Sequence, residues 1–499
     1  MKLDDRIKEV FHNPLKTTDG FDLNAELEKV LNEIGLSQKD TDGKIEFTGK
    51  DPIVKSVFRL ASASAIVLAA KAVTVAKIWK MKTGEGQDIK INLGQALHRL
   101  SPFYDRKWEF INGENPGQPN DPTNPFMPGL IYKTKDNKHV LCCNLYPRLK
   151  TAALRFLNCA DSPEAIAAAI SQWDAVELEK AMNKVGLQLT IIRTPWEFMS
   201  EEQYRELLEL PLIEIEKIGD SAPEPIPVGG DLPLSGIRAL GMGHVIAGAG
   251  VGRALALHGA DVLNIWQPQD FEIDMTFYTT AVGSRSAVLD LKKKERHEQM
   301  IELVKETDIF YHNRRPGYLE RYGLTAEEAA KIRPGIIHAG ISLWGSKGPW
   351  INWIGFDQNA GAATGIFTME GSEEEPKLTE IFVVNDYIMA WLTAIGVNVA
   401  LMRRAAEGGS YKVSVALGRA SLWLFSLGVF DQAFAHGLAG SDGDHYFTDA
   451  ETFTAETPLG TYQGISEQVY MSKTPGRYDT VLVPRGSGKA EWIKEYAQS

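Results

Sequence analysis

Residues 237–266 read IRALGMGHVIAGAGVGRALALHGADVLNIW. A strand-like run at 237–242 is followed by Gly248-Ala249-Gly250-Val251-Gly252, a helical stretch, and a second strand-like run at 260–266. Strand, glycine turn, helix and strand form the repeating unit of a parallel sheet. The pattern continues outward through SAVLDL (286–291), DIFYHN (308–313) and GIIHAGIS (335–342). Helical runs KERHEQMIELVKE (294–306) and TAEEAAKI (325–332) separate them. The fold class is therefore α/β, a doubly wound parallel Rossmann-like sheet.

Upstream, DSAPEPIPVGG at 220–230 is a Pro/Gly-rich break. Before it, GLIYKTKDNKHVLCCNLY reads as a hairpin turning at Asp136-Asn137, with the helical runs SPEAIAAAISQW and VELEKAMNKV behind it. The partition that results is a helical extension (1–50), a repeat element (51–125) ending in the loop NGENPGQPNDPTNPF, and a small α+β domain (126–215). A linker (216–230), a large domain (231–435) and an extended arm (436–499) follow.

One element occurs twice. TGEGQDIKINLGQAL at 83–97 and EGGSYKVSVALGRASL at 407–422 place Leu93-Gly94 against Leu417-Gly418, an offset of 417 − 93 = 324. A long apolar run precedes each copy. The second begins at Asn385-Asp386, and the first has Ser62 where 386 − 324 falls. Asp386 reads either as a helix cap or as a carboxylate nucleophile, because both copies need a cap and only one carries an acid.

The bulk composition narrows the partners. The net charge of −12 argues against a broad nucleic-acid surface. Three cysteines (Cys142, Cys143, Cys159) without a closing partner suggest a reducing compartment, and no Cys/His spacing suits a metal. ASASAIVLAAKAVTVAKIW (61–79), broken by Lys71 and Lys77, reads as a buried helix rather than a membrane span.

The glycines at 248–252 suit a phosphate cradle or close helix packing. A nicotinamide reading wants an acid after the second strand, where Trp266-Gln267 stands instead. Arg285, before one strand, and Asn313-Arg314-Arg315, after another, are phosphate candidates. Asp357 is either an active-site carboxylate or a helix cap. His244 receives no role.

Four stretches, PLSGIRALGMGHVIAGAGVGRALALHGADVLNI, SRSAVLDL, DIFYHNRRPGYLERYGLTAEEAAKIRPGIIHAGISLWGSKGPW and NDYIMAWLTAIGVNVALMRRAAEGGSYKVSVAL, resemble in order the class III CoA-transferases, the CaiB/BaiF family. The family includes formyl-CoA transferase, carnitine CoA-transferase and α-methylacyl-CoA racemase. The resemblance covers about residues 231–422, and the first half looks like a fused, partly rearranged second portion of the same family.

The resemblance implies CoA transfer between carboxylic acids through an aspartyl-CoA thioester on Asp386, with a helix N-terminus lowering that carboxyl's pKa. It implies substrate contacts at Phe356, Asp357 and Ile246, and CoA contacts at Val245, Arg285, Arg314 and Arg315. CoA esters are then substrates, with no permanently bound cofactor and no metal. The implied assembly is a homodimer of interlocked chains, and the implied compartment is cytoplasmic, with a mitochondrial or other reducing location left open.

Racemases of this family carry a histidine where this chain has Phe356, and a phenyl ring exchanges no proton. A glutamine of formyl-CoA transferase falls on Ile246, and Gln267-Pro268-Gln269 stands where basic residues are usual. The alternatives to transfer are acyl-CoA isomerisation and non-catalytic CoA-ester binding.

Overall fold

The unit read at 237–266 folds as a strand, a helix and a strand. The computed structural model describes residues 2–100, 107–115, 130–378, 384–441 and 443–493, so the loop NGENPGQPNDPTNPF lies mostly outside the described residues. In chain order the strands are β1 (Ile45–Thr48), β2 (Ile89–Asn92), β3 (Phe110–Ile111), β4 (Ile131–Lys133), β5 (His139–Leu141), β6 (Thr190–Ile191), β7 (Glu214–Gly219) and β8 (Arg238–Met242). They continue as β9 (Asp261–Trp266), β10 (Arg285–Val288), β11 (Ile309–His312), β12 (Ile337–Ser342), β13 (Ser410–Ala416), β14 (Thr452–Thr457), β15 (Gly460–Ile465) and β16 (Val469–Met471). Six helices bear on the site: α1 (Leu60–Thr83), α2 (Leu93–Leu97), α3 (Ala247–Ala256), α4 (Asp357–Thr364), α5 (Val384–Glu407) and α6 (Leu417–Ser426).

The large sheet has the order β10-β9-β8-β11-β12-β13-β7. Its strands run parallel except β7, which lies antiparallel to β13. From β8 the chain moves outward to β9 on one side and β11 on the other, so the order reverses there. A crevice opens beyond the carboxyl ends of the strands at such a reversal.

The glycines of α3 serve packing. A Cβ at Gly248 would strike the Asn313 side chain, one at Gly252 the Tyr311 hydroxyl, and one at Gly250 would lie 2.8 Å from the Ala390 Cβ of α5. Gly250→Val therefore forces α3 and α5 apart. The expected cost is about 1–3 kcal/mol, read as an earlier urea midpoint.

The repeat is structural. Helices α1 and α5 are 24 residues each and start 384 − 60 = 324 apart. Strand β2 maps at that offset onto residues 413–416 of β13, and α2 maps onto the start of α6. The side chain of Asn398 donates to Thr74 Oγ1 at 2.9 Å, and 398 − 324 = 74. Equivalent positions of two packed helices meet where an approximate two-fold axis passes between them.

The two halves also exchange strands. Strand β7, which closes the first half, pairs with β13 of the second. Strand β16, which follows the second half, pairs antiparallel with β2 of the first. In each half the central strand has a parallel neighbour on its other side, β1 for β2 and β12 for β13. The sheet β1-β2-β16 thus repeats the edge β12-β13-β7 and, among the described residues, has no counterpart of β8–β11.

One boundary read from the sequence cuts through a strand, and two segments read as an extension and an arm contribute strands. Strand β1 lies inside 1–50, β7 extends into the 216–230 linker, and the 436–499 arm contributes the β14–β15 hairpin and β16. Each of these strands is short or polar, and β7 and β16 find their partners β13 and β2 far away in sequence. The small domain's hairpin turns at Asn137, with φ 60°, as the sequence indicates. Helix α1 is long and apolar enough to cross a membrane, and 94% of its most apolar window is buried inside the protein.

Candidate active site

Asp386 lies in the first turn of α5. It is 7% exposed, and it lines a cleft of about 1170 Å³ between the carboxyl ends of the large sheet and the small domain. It is the third residue of the helix rather than the residue before it.

Ser62 is likewise the third residue of α1. There the amides are met from outside, since Asp51 accepts from Ser62 N at 2.7 Å and Ala61 N at 3.3 Å. The carboxylate of the first copy is thus consumed by a helix start, whereas that of the second faces the cleft.

The helix start does not keep the Asp386 pKa low. Burial pushes the Asp386 carboxyl up to about 7. Asp357, the first residue of α4, is 3% exposed, and burial together with the charge of Asp386 raises it further. Its Oδ1 accepts from Gln358 N at 2.8 Å, and among the described residues its Oδ2 has no partner. The amide of Phe356 is met by Asn359 Oδ1 at 2.9 Å, so Asp357 is not the cap of α4. Burial and the neighbouring charge of Asp386 both favour the protonated form of Asp357.

Phe356 lines the cleft, and its ring stacks on Tyr146 of the small domain at 5.8 Å. Val245 and Ile246, in the turn between β8 and α3, line it as well. Arg314 and Arg315 follow β11 and reach the same cleft. Arg314 is engaged already, donating to Asp270 Oδ2 at 2.8 Å and to Met242 O at 2.9 Å. Arg315 is exposed at the rim.

Arg285 is not brought to the cleft. It begins β10, at the amino end of the sheet, and grips both oxygens of Asp261 at 2.7 and 2.9 Å.

Sequence reasoning missed a polar cluster at the cleft wall. Glu272 accepts from the Tyr146 hydroxyl at 3.0 Å and from Val245 N at 3.1 Å, and it lies 3.2 Å from His244 Nδ1. Burial alone would raise Asp270, but hydrogen bonds from His244 and Arg314 hold its carboxyl below the usual range. The cluster ties the small domain to the turn after β8. The acids that follow Gln267-Pro268-Gln269 were the available signal.

Residues 234–463 match the family described as CoA-transferase family III. This stretch of the chain is similar to that family. A curated relative, "Acetyl-coenzyme A transferase nodX" of Hypoxylon pulicicidum, is 27% identical over 60% of this chain and 55% of its own. The "Succinyl-CoA--L-malate CoA-transferase alpha subunit" of Chloroflexus aurantiacus is 29% identical over 42% of this chain and 51% of its own. A solved CAIB/BAIF family protein from Brucella suis is 26% identical over 39% of this chain and 55% of its own, with a TM-score of 0.36. The chain spans about half the length of the curated relatives it matches.

Proposed function

We propose that this chain transfers CoA from an acyl-CoA donor to a carboxylic acid acceptor through an aspartyl-CoA thioester on Asp386. The observation that carries the reading is a desolvated carboxyl, raised by burial, at the wall of a large cleft. A desolvated carboxylate is a stronger nucleophile than a hydrated one, and a neutral partner carboxyl beside it adds no repulsion.

The steps balance as follows. A carboxylate oxygen of Asp386 attacks the thioester carbonyl, the C–S bond breaks, and CoA leaves as thiolate from a mixed anhydride. The thiolate attacks the Asp386 carbonyl carbon, releasing the donor acid and leaving the aspartyl thioester. The acceptor carboxylate attacks that thioester, giving a second anhydride and thiolate. Thiolate attack on the acceptor carbonyl forms the new acyl-CoA and restores Asp386.

In this reading Phe356, Ile246 and Val245 form an apolar wall beside the reacting carbonyl, and the Asp357 proton faces the same region. Arg315 and Arg314 serve the CoA phosphates. The strand exchange is made inside one chain, so the site needs no second copy even if the protein also forms a homodimer. Three cysteines that form no disulfide fit a cytoplasmic or other reducing setting.

The test is a quench. Mixing the protein with a panel of acyl-CoAs and adding hydroxylamine should leave a hydroxamate on the peptide carrying Asp386. CoA-ester binding without any adduct would sink the reading in favour of a binding protein. The pH dependence has a fixed sign, because a protonated Asp386 is a far weaker nucleophile than the carboxylate. Single-turnover adduct formation should rise about tenfold per pH unit on the acid side and level off above about 7. A rate flat from pH 5 to 8 would contradict a raised nucleophile.

A further inference from the structure

The cleft extends past Asp386 onto the outer face of β11, β12, β13 and β7, and the proposed chemistry uses nothing there. Side chains alternate between the faces of a strand. Ile337, Ala339, Ile341, Val413 and Val415 pack into the core beneath. The opposite face carries two rows. One register row runs His312, Gly340, Ser414, Glu214, and the next places His338 beside Lys412. All six residues line the cleft.

The floor is bare at Gly340, where a Cβ would lie 3.1 Å from the Nε2 of His312. The imidazole therefore lies over the glycine. Its Nδ1 accepts the amide of Arg314 at 3.2 Å, which places the ring proton on Nε2. Burial and the neighbouring His338, Arg314 and Lys412 keep the ring neutral, so the Nε2 donor is permanent.

His338 is committed elsewhere. Its Nε2 bonds the Leu324 carbonyl at 3.1 Å, and its ring stacks on Phe310. Ser342 is also engaged, accepting from Gly345 N and donating to Val415 O. Lys412 makes no ion pair among the described residues, and nor does Glu214.

We infer that this arm of the cleft is a second ligand subsite for an oxyanion, held by Lys412 and His312 Nε2–H over Gly340, with Glu214 accepting from a hydroxyl beside it. An apolar acyl chain laid here would strand an ammonium, a ring N–H and a carboxylate without partners. A hydroxy acid carries the matching groups, and so does the ribose 3′-phosphate of CoA. Naming either as a substrate rests on the proposed function. The subsite itself does not.

The experiment is calorimetric titration of the full chain with malate, adenosine 3′-phosphate and butyrate, without turnover. Malate or adenosine 3′-phosphate should bind, and Lys412→Met should weaken that probe at least tenfold. Lys412→Arg should stay within about threefold, because a cation remains. Loss confined to malate assigns the arm to the acceptor acid. Loss confined to adenosine 3′-phosphate assigns it to CoA. Butyrate, a carboxylate without the hydroxyl that Glu214 would accept from, should bind more weakly than malate.

His312→Phe removes the second donor and should weaken the same probe, which covers a Lys412→Met chain that fails to fold. If neither malate nor adenosine 3′-phosphate binds, or if both bind unchanged in the folded variants, the subsite is overturned. Because the readout is equilibrium binding, a missing aspartyl adduct would refute the transferase reading and leave this result standing.

Discussion

Asp386→Asn should abolish the hydroxylamine-sensitive adduct and lower CoA transfer by about 10⁴-fold or more, since removal of a covalent nucleophile removes the whole route. Asparagine preserves the volume of the side chain, so the helix start and the cleft should survive. Acyl-CoA affinity should therefore change by less than about tenfold, the split expected when a group acts on the reaction rather than on binding. The first copy makes a natural control. Ser62 occupies the position equivalent to Asp386, yet it is 1% exposed beneath Asp51 and is not part of the cleft. Ser62→Asp should add no second labelled peptide. Transfer activity surviving in Asp386→Asn would move the chemistry to another residue and return Asp386 to a structural role.

What could be read in advance followed the apolar signal. Strands β8 and β9 are buried on both faces and appear as short apolar runs, as do β11 and β12, which open only toward the cleft. Strand β7, EIEKIG, runs into a proline-rich segment that looks like a linker, and β16 is three residues long. Both exist because distant strands offer them an edge, which no local pattern encodes. The same split holds at the site. Asp386 stood out because two copies of one element differed there, and Arg314 because it follows a strand.

Arg285 precedes its strand, and by the rule that sites lie beyond carboxyl ends it belonged at the other end of the sheet. Tyr146 and Glu272 meet across 126 residues of chain, so their contact had no sequence signature. The pKa of Asp386 was misjudged because the helix start was weighed and the burial was not.

Residues 231–499 expressed alone should not fold, although they contain the whole large domain as read from sequence. Without 1–230, β13 loses its antiparallel neighbour β7, and β16 loses β2. Helix α5 also loses α1, whose buried Leu60, Ile66, Val67, Leu68, Val73, Val75 and Ile78 would have no counterpart. At about 1.5 kcal/mol for each of these side chains, the loss is ~10 kcal/mol, comparable to the whole net stability of a typical domain. The isolated piece should be insoluble or bind a hydrophobic dye. The piece 1–230 should fare no better, because β2 and β7 would lack β16 and β13. Co-expression should restore a soluble one-to-one complex, since each strand would find its edge again. A separately folded 231–499 with a native near-ultraviolet spectrum would show that the exchanged strands are appendages. An insoluble one rescued by its missing half would show that the repeat is what makes the cleft possible.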